Sequence, residues 1–464
     1  MNRFIPHFLI TLTMMAWIWN EAPDTVLAGG RPPNILLILV DNLGYGDVGC
    51  YGSRVIQTPA MDDLAEQGVR LTSFYTASPT CSVSRACLLT GRVAQRHGLR
   101  AQLPGLEGNY GVGLRQSERL IPAYLKPFGY VTACFGKWNI GFAPGSRPTE
   151  RGFDTFFGHV SGNIDYFTHI YRGRLDMYRG VRPVHVNGYA TDLFADAACR
   201  FVEKHRHEPF FVYLPFNAPH FPSAANKAPG QAVQWQAPAE YFQRYHLSPR
   251  ESDPTKRYRV VVTALDAAIG RVLDQLDRLS LTDNTLVVLF SDNGAFKLGR
   301  KGLDVGSNAP LRGGGVTLYE GGIRVPCLMR WPGHFPAGSV RGAPLISCDL
   351  LPMFVHAAGG TLPDDIILDG RDPTATLSDA APSPHAALYF QYGRYTAMRQ
   401  GDYKLIRSSP KGRYELYDLR DDLSETTDLA ARKPDIGASM QAQLERWQHE
   451  ISSPTTRGGG GGQQ

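Results

Sequence analysis

Cysteine is scarce in this chain and forms no framework. Seven residues among 464 (Cys50, Cys81, Cys87, Cys134, Cys199, Cys327 and Cys348) are spread too thinly for a small disulfide scaffold. None forms a CxxC pair of the kind that holds zinc. Seven is odd, so at least one is unpaired or chemically modified, and the ordinary state of most is a small buried hydrophobe. An excess of one charge is missing too. The 48 Lys and Arg against 43 Asp and Glu leave +5, and no basic run is long enough for nucleic acid. No apolar run reaches the roughly 20 residues that span a bilayer, and no internal repeat points to a solenoid. What is present is a large apolar fraction, 43% hydrophobic and 11% aromatic, which excludes a disordered scaffold. The length suits one large α/β domain with a smaller appendage.

The first residues have a texture of their own. Arg3 precedes an apolar stretch from Phe8 to Trp19, Glu21 and Asp24 follow it, and Val26 and Ala28 supply small residues suited to a signal peptidase. This predicts a cleaved signal over residues 1–28 and a secreted or periplasmic protein, with an uncleaved N-terminal anchor as the alternative.

Four short apolar runs, Asn34–Val40, Tyr130–Phe135, Pro209–Phe216 and Thr285–Phe290, read as strands buried on both faces. Helical patterns separate them: Thr58-Pro59 up to Gly68, the Leu193–Val202 stripe and the Val261–Val272 stripe. The alternation predicts a large, doubly wound, mostly parallel sheet flanked by helices, over residues 29–375. Beyond Thr361 a Pro- and Asp-rich stretch reads as a linker or long surface connection. Short antiparallel strands at Ala387–Tyr392, Tyr395–Arg399, Tyr403–Arg407 and Tyr414–Leu419, closed by a helix over 434–451, make a smaller α+β unit over 376–453. Residues 454–464 read as a disordered tail. The oligomeric state is not legible.

Each of the four runs ends in polar chemistry: Asp41-Asn42, Lys137-Trp138-Asn139, Asn217 leading to His220, and Asp292-Asn293-Gly294. In open α/β sheets ligands bind beyond the carboxyl ends of the strands, so parallel strands would bring these groups to one mouth. Taken singly, each has a bland reading: Asp-Asn-Gly as a turn, Asp-Asn as a helix cap, Lys137 as a surface charge, His220 as a packed loop residue. Together, oxygen ligands from two strand ends suit a hard cation such as Ca²⁺ or Mg²⁺. The run from Cys81 to Arg92 is more specific. Its helical pattern ends at Gly91, which puts Cys81 near a helix N-terminus, where backbone amides and the helix dipole favour an anion. Arg85 lies one turn on. From the residues alone, Cys81 is a candidate nucleophilic thiolate with His220 as its base.

These segments resemble the sulfatase family. Cys81-Ser-Val-Ser-Arg-Ala-Cys-Leu-Leu-Thr-Gly-Arg92 is similar to its signature, in which the cysteine is oxidised to formylglycine. Asp41–Tyr51 resembles the metal-binding segment, Gly136-Lys137-Trp138 the second signature, and Pro219-His220-Phe221-Pro222 the loop with the substrate histidine. Ser291–Gly294 resembles the second metal segment, and Leu318–Pro326 the block that follows it, all in family order. The resemblance implies one divalent ion, calcium, held by Asp41, Asn42, Asp292, Asn293 and the modified residue 81. It implies catalytic roles for Cys81, Arg85, Lys137 and His220, with Lys137 and His220 also binding substrate, a sulfated small molecule or glycan. It further implies a formylglycine-generating enzyme as partner. Four positions depart from the pattern. Val83 replaces a proline, Asn42 an aspartate, Asn139 a histidine, and Gly315 a lysine that contacts the sulfate. The expectation is that Lys297, Arg300 or Lys301 replaces that lysine, and that Gly315→Lys raises the rate if none does. A non-catalytic binder of sulfated glycans and a phosphate or phosphonate ester hydrolase are the other readings. Specificity is placed in loops 159–182 and 221–250, whose Tyr166, Phe167, Tyr171 and Trp235 either stack on sugars or pack.

Overall fold

The computed structural model describes residues 31–104, 113–223, 235–299 and 302–452; the expected signal segment, the tail, Arg300 and Lys301 lie outside them. The four expected strands form with small shifts at their ends: β1 (Asn34–Val40), β3 (Val131–Lys137), β9 (Phe210–Pro215) and β10 (Thr285–Ser291). They are neighbours in the order β10-β1-β9-β3, every pair parallel, with Val40 opposite Ser291. Alternate side chains of β1 enter opposite cores, Leu36, Ile38 and Val40 on one face and Ile35, Leu37 and Leu39 on the other. Burial on both sides is why these runs carry no polar alternation.

Further strands widen this centre into an eleven-stranded sheet. β2 (Val69–Tyr75) and β4 (Thr155–His159) join it, as do the paired β7 (Tyr178–Arg179) and β8 (Arg182–Pro183). So do β11 (Arg324–Arg330), β12 (Ser339–Arg341) and β13 (Leu345–Ile346). A separate hairpin joins β5 (Ile170–Tyr171) to β6 (Arg174–Leu175). Helices cover both faces. α1 (Pro59–Glu66), α3 (Ala190–Lys204) and α4 (Pro254–Arg278) bury apolar stripes in the first core, whereas α2 (Cys81–Thr90) and α5 (Leu350–Ala357) lie in the second. α4 starts on Asp253, whose carboxylate accepts from the amides of Thr255 and Lys256 ahead of an N1 proline.

β14 (Leu388–Tyr392), β15 (Tyr395–Gln400), β16 (Tyr403–Arg407) and β17 (Glu415–Asp418) form the antiparallel second sheet, closed by α6 (Pro434–Ser452). Met440 and Leu444 of α6 pack on Met398, Leu405 and Leu416. The opposite face shares a core with Val83 and Cys87 of α2, so the small sheet supports the helix that begins at Cys81. The segment expected as a linker or long surface connection lies largely at the surface and is pinned at several points. Asp369 accepts from the Val93 amide at 2.8 Å and donates its own amide to Gly91 O at 3.0 Å, and His385 meets the buried Asp349 at 2.7 Å. No helix among the described residues is long and apolar enough to cross a membrane.

Candidate active site

The ends of the parallel strands bring the expected polar residues together. Asp41 follows β1 and Asp292 follows β10, and each amide is tied to a neighbouring segment: Asp41 N donates to Ala218 O, just past β9, at 3.1 Å, and Asp292 N to Val40 O of β1 at 2.9 Å. Asn42 takes a left-handed turn at φ 64°, which asparagine tolerates, and its amide donates to Asp292 Oδ1 at 3.2 Å. Lys137 closes β3. Gly136 before it is needed because a Cβ there would lie 2.0 Å from Pro215 O, at φ 132°. Lys137 Nζ reaches Asp41 Oδ2 at 2.5 Å, with both side chains fully buried.

Cys81 is the first residue of α2, after Thr80 in extended conformation, and its thiol donates to Asp41 Oδ1 at 3.3 Å. Arg85, one turn on, is fully buried. Its Nε donates to Asp292 Oδ2 at 3.0 Å, Nη2 lies 2.8 Å from the same oxygen, and Nη1 donates to the carbonyl of Lys137 at 3.0 Å. One guanidinium therefore binds the second carboxylate and the strand end carrying the lysine. His220 Nδ1 donates to Phe221 O at 2.7 Å, so Nε2 faces inward, and ligand atoms of Asp41, Cys81 and His220 lie within 4.8 Å of one another.

Electrostatics count against the bare thiolate reading. Burial first, then Asp292 and Asp41, pushes the Cys81 thiol well above its ordinary range. Burial and then Lys137 push His220 down to about 3, so the imidazole is neutral and Nε2 carries a lone pair. An unmodified Cys81 is a protonated thiol against two carboxylates, a poor nucleophile. Burial and Asp41 likewise raise the Asp292 carboxyl.

The donors fit a hard cation. Asp41, Asn42, Asp292 and Asn293 present side-chain oxygens, and the buried Asn293 Oδ1 has no hydrogen-bond partner among the described residues. Asn139 (φ 56°) and Asn217 are buried at the same strand ends, and among the described residues neither side-chain O nor N is partnered. Sequence reasoning passed over His159, which ends β4 as the register partner of Lys137. Both its ring nitrogens lack a hydrogen bond among the described residues, Nδ1 lying 3.9 Å from Asp176 Oδ2. Its signal was the short apolar run Phe156-Phe157 leading to a histidine.

Gly315 is not an empty gap. It bridges Phe296, its amide donates to Ala295 O at 3.0 Å, and a Cβ on it would lie 2.6 Å from Phe296 Cδ1. The Phe296 ring packs edge-on against His220 at 5.7 Å. Lys297 does not replace the lysine: its Nζ holds Gly306 O at 2.6 Å and Asp304 O at 3.4 Å, pinning its own loop. Of the aromatics proposed for specificity, Tyr166, Tyr171 and Trp235 are packed and buried, and Phe167 is 43% exposed. The Gly315 segment is anchored from the small sheet. Lys404 Nζ lies 2.9 Å from both Glu320 Oε1 and Glu425 Oε1, and Glu425 Oε2 accepts from the Glu320 amide at 2.7 Å. Burial pushes Glu425 up to about 7, opposed by Lys404. Against the same burial, Lys404 and Arg324 hold Glu320 at about 2.

Adjacent parallel strands of the mixed sheet thus present two carboxylates, amide oxygens and two buried basic side chains around a helix-start cysteine, an arrangement chemically suited to an anionic ester. The chain belongs to the sulfatase family, whose model matches residues 33–360; the model of the N-sulphoglucosamine sulphohydrolase C-terminal region matches 316–450. It is 33% identical to the N-acetylgalactosamine-6-sulfatase of Homo sapiens over 81% of this chain and 71% of that one. Arylsulfatase A of Homo sapiens is 32% identical over 82% and 75%. The crystal structure of Ps i-CgsB in complex with k-i-k-neocarrahexaose superposes with a TM-score of 0.80 at 31% identity, covering 90% of this chain and 93% of that one. The protein is accordingly a sulfuric ester hydrolase.

Proposed function

We propose that hydrolysis uses a formylglycine made from Cys81, beside one calcium ion held by Asp41, Asn42, Asp292 and Asn293, on a sulfated glycan. The observation that carries this reading is the Cys81 sulfur lying 3.3 Å from Asp41 Oδ1 at a helix start, among oxygens from two strand ends. A hydrated formylglycine supplies a hydroxyl nucleophile, and a bound divalent ion supplies Lewis acidity and lowers a hydroxyl's pKa.

The chain's own residues do the rest. Ion pairs with Asp292 and Asp41 fix Arg85 and Lys137 in place, so both side chains face an anionic ester without reorganising. The amides at the start of α2 add positive potential at residue 81. His220, fixed through Nδ1–H, presents an Nε2 lone pair that takes up the proton of the attacking hydroxyl and then passes that proton to the leaving oxygen. Asn139 and Asn217 offer buried donors and acceptors but no proton relay. Cys81 is only 3% exposed, so an enzyme that converts it must act before α2 packs. Val83, buried at the third position of that helix against the small sheet, stands where such an enzyme usually meets proline. Export through the N-terminal apolar segment completes the reading. Calcium titration by calorimetry tests it: tight stoichiometric binding that Asp292→Ala abolishes is expected, and an active, metal-free protein overturns it.

A further inference from the structure

Two tight hairpins stand beside the mouth. In β5–β6 the turn residues Arg172 and Gly173 both have positive φ, 46° and 76°, a pair of positions usually filled by Asn-Gly. Arginine at such a φ is strained. β7 and β8 turn through Gly180, at φ 59°, and the exposed Val181. Across these hairpins Arg172, Arg174, Arg179 and Arg182 are all exposed. The one carboxylate of the stretch, Asp176, is 1% exposed and accepts from the amides of Val160 and Ser161 at 3.2 and 2.9 Å. Among the described residues Arg174, Arg179 and Arg182 form no salt bridge; Arg179 lies over the Phe157 ring at 5.5 Å. Like charges on two short hairpins repel one another, and among the described residues no carboxylate pairs with Arg174, Arg179 or Arg182.

The hairpins are joined to the catalytic strand ends. β7 pairs with β4, Tyr178 opposite Gly158, one residue before His159, the neighbour of Lys137. Tyr166, in the loop entering the first hairpin, donates to His220 O at 2.7 Å and Asn217 O at 3.2 Å. The basic surface therefore begins where the crevice ends.

We propose that this arginine double hairpin docks a polysaccharide chain carrying several sulfate groups, one of which enters the crevice. The clause about the crevice rests on the sulfatase reading; the surface itself does not. Guanidinium forks match sulfate oxygens in pairs, and a row of them fits an anionic polymer better than a single charged group. A small monosulfate would fill the crevice without reaching the hairpins.

The test is dextran sulfate binding, titrated at rising NaCl concentration, for the wild type and for Arg174→Ser/Arg179→Ser/Arg182→Ser. Hydrolysis of 4-nitrophenyl sulfate is measured alongside. The wild type is expected to bind with an affinity that falls steeply with salt, and the triple variant roughly tenfold or more weakly with a shallower slope. Its kcat/KM on the monosulfate should be unchanged. The corresponding Arg→Lys triple, which keeps the charge, should retain most of the affinity and guards against a folding artefact. Equal affinity and slope in the serine variant overturn the proposal. So does wild-type binding to anionic phospholipid vesicles as tight as to dextran sulfate, which would assign the surface to a membrane. Binding is read directly, so a protein that cleaves no sulfate ester yet shows the expected arginine dependence contradicts the sulfatase reading and supports the surface.

Discussion

Replacing Gly315 with lysine restores a cation that the sulfatase pattern usually carries there, and the geometry predicts that the single change fails. A Cβ on residue 315 would lie 2.6 Å from Phe296 Cδ1 and 2.9 Å from Gly294 O. The carbonyl is backbone in a segment held by Gly294 N donating to Gly322 O at 3.2 Å, and the ring is packed on His220 at 5.7 Å and Phe221 at 6.3 Å. Forcing a side chain into occupied volume commonly costs about 1–3 kcal/mol, so Gly315→Lys should lower the melting temperature and leave kcat/KM unchanged or reduced. Deleting the ring at the same time opens the volume. In Phe296→Ala/Gly315→Lys the ammonium can reach the sulfate, and the gain should approach the roughly 10²–10³-fold contributed by one transition-state donor. Phe296→Ala alone should show no such gain. The assay is a double-mutant cycle of kcat/KM on 4-nitrophenyl sulfate across the four proteins. Independence of the two changes, with Gly315→Lys raising the rate equally with and without Phe296, refutes the argument.

Other changes probe the rest of the site. Asp292→Ala should abolish turnover and calcium uptake, and because it leaves Arg85 buried without its main partner it should also cost about 3–5 kcal/mol of stability by chemical denaturation. Cys81→Ala and Cys81→Ser should both lose turnover while keeping a cooperative melt, since a small side chain at a helix start leaves little cavity; full activity in Cys81→Ala excludes residue 81 as nucleophile. Glu425 titrates near pH 7 in the fold against an ordinary 4.5, so the native state holds a proton that the unfolded chain releases across that window. Its contribution to stability is therefore present at acid pH and lost as pH rises through about 7. Glu425→Gln should narrow the difference in melting temperature between pH 5 and pH 8, and an unchanged difference contradicts the assignment.

What was legible in the sequence was whatever local pattern controls. Strands buried on both faces leave unbroken apolar runs, so β1, β3, β9 and β10 and the polar residues after them could be read directly. β4 was missed because it is only five residues long and Gly158 interrupts it, and His159 was missed with it. The Glu320–Lys404–Glu425 cluster joins residues 84 and 21 positions apart through fully buried charges, and no periodicity reports which charged residue will be buried. The same holds at Gly315. The missing side chain was visible, but the phenyl ring filling its place arrives from 19 residues earlier through a bridge that only the folded chain makes. Lys297 looked available in sequence and is spent on two carbonyls of its own loop.

The measurement closest to the central claim is the mass of the proteolytic peptide containing Cys81, taken from protein whose sulfatase activity has been assayed in the same preparation. The account predicts a peptide lighter than the encoded cysteine form, as an aldehyde requires, in proportion to the activity found. A preparation that hydrolyses sulfate esters at full rate while every copy of Cys81 remains an unmodified thiol would contradict it.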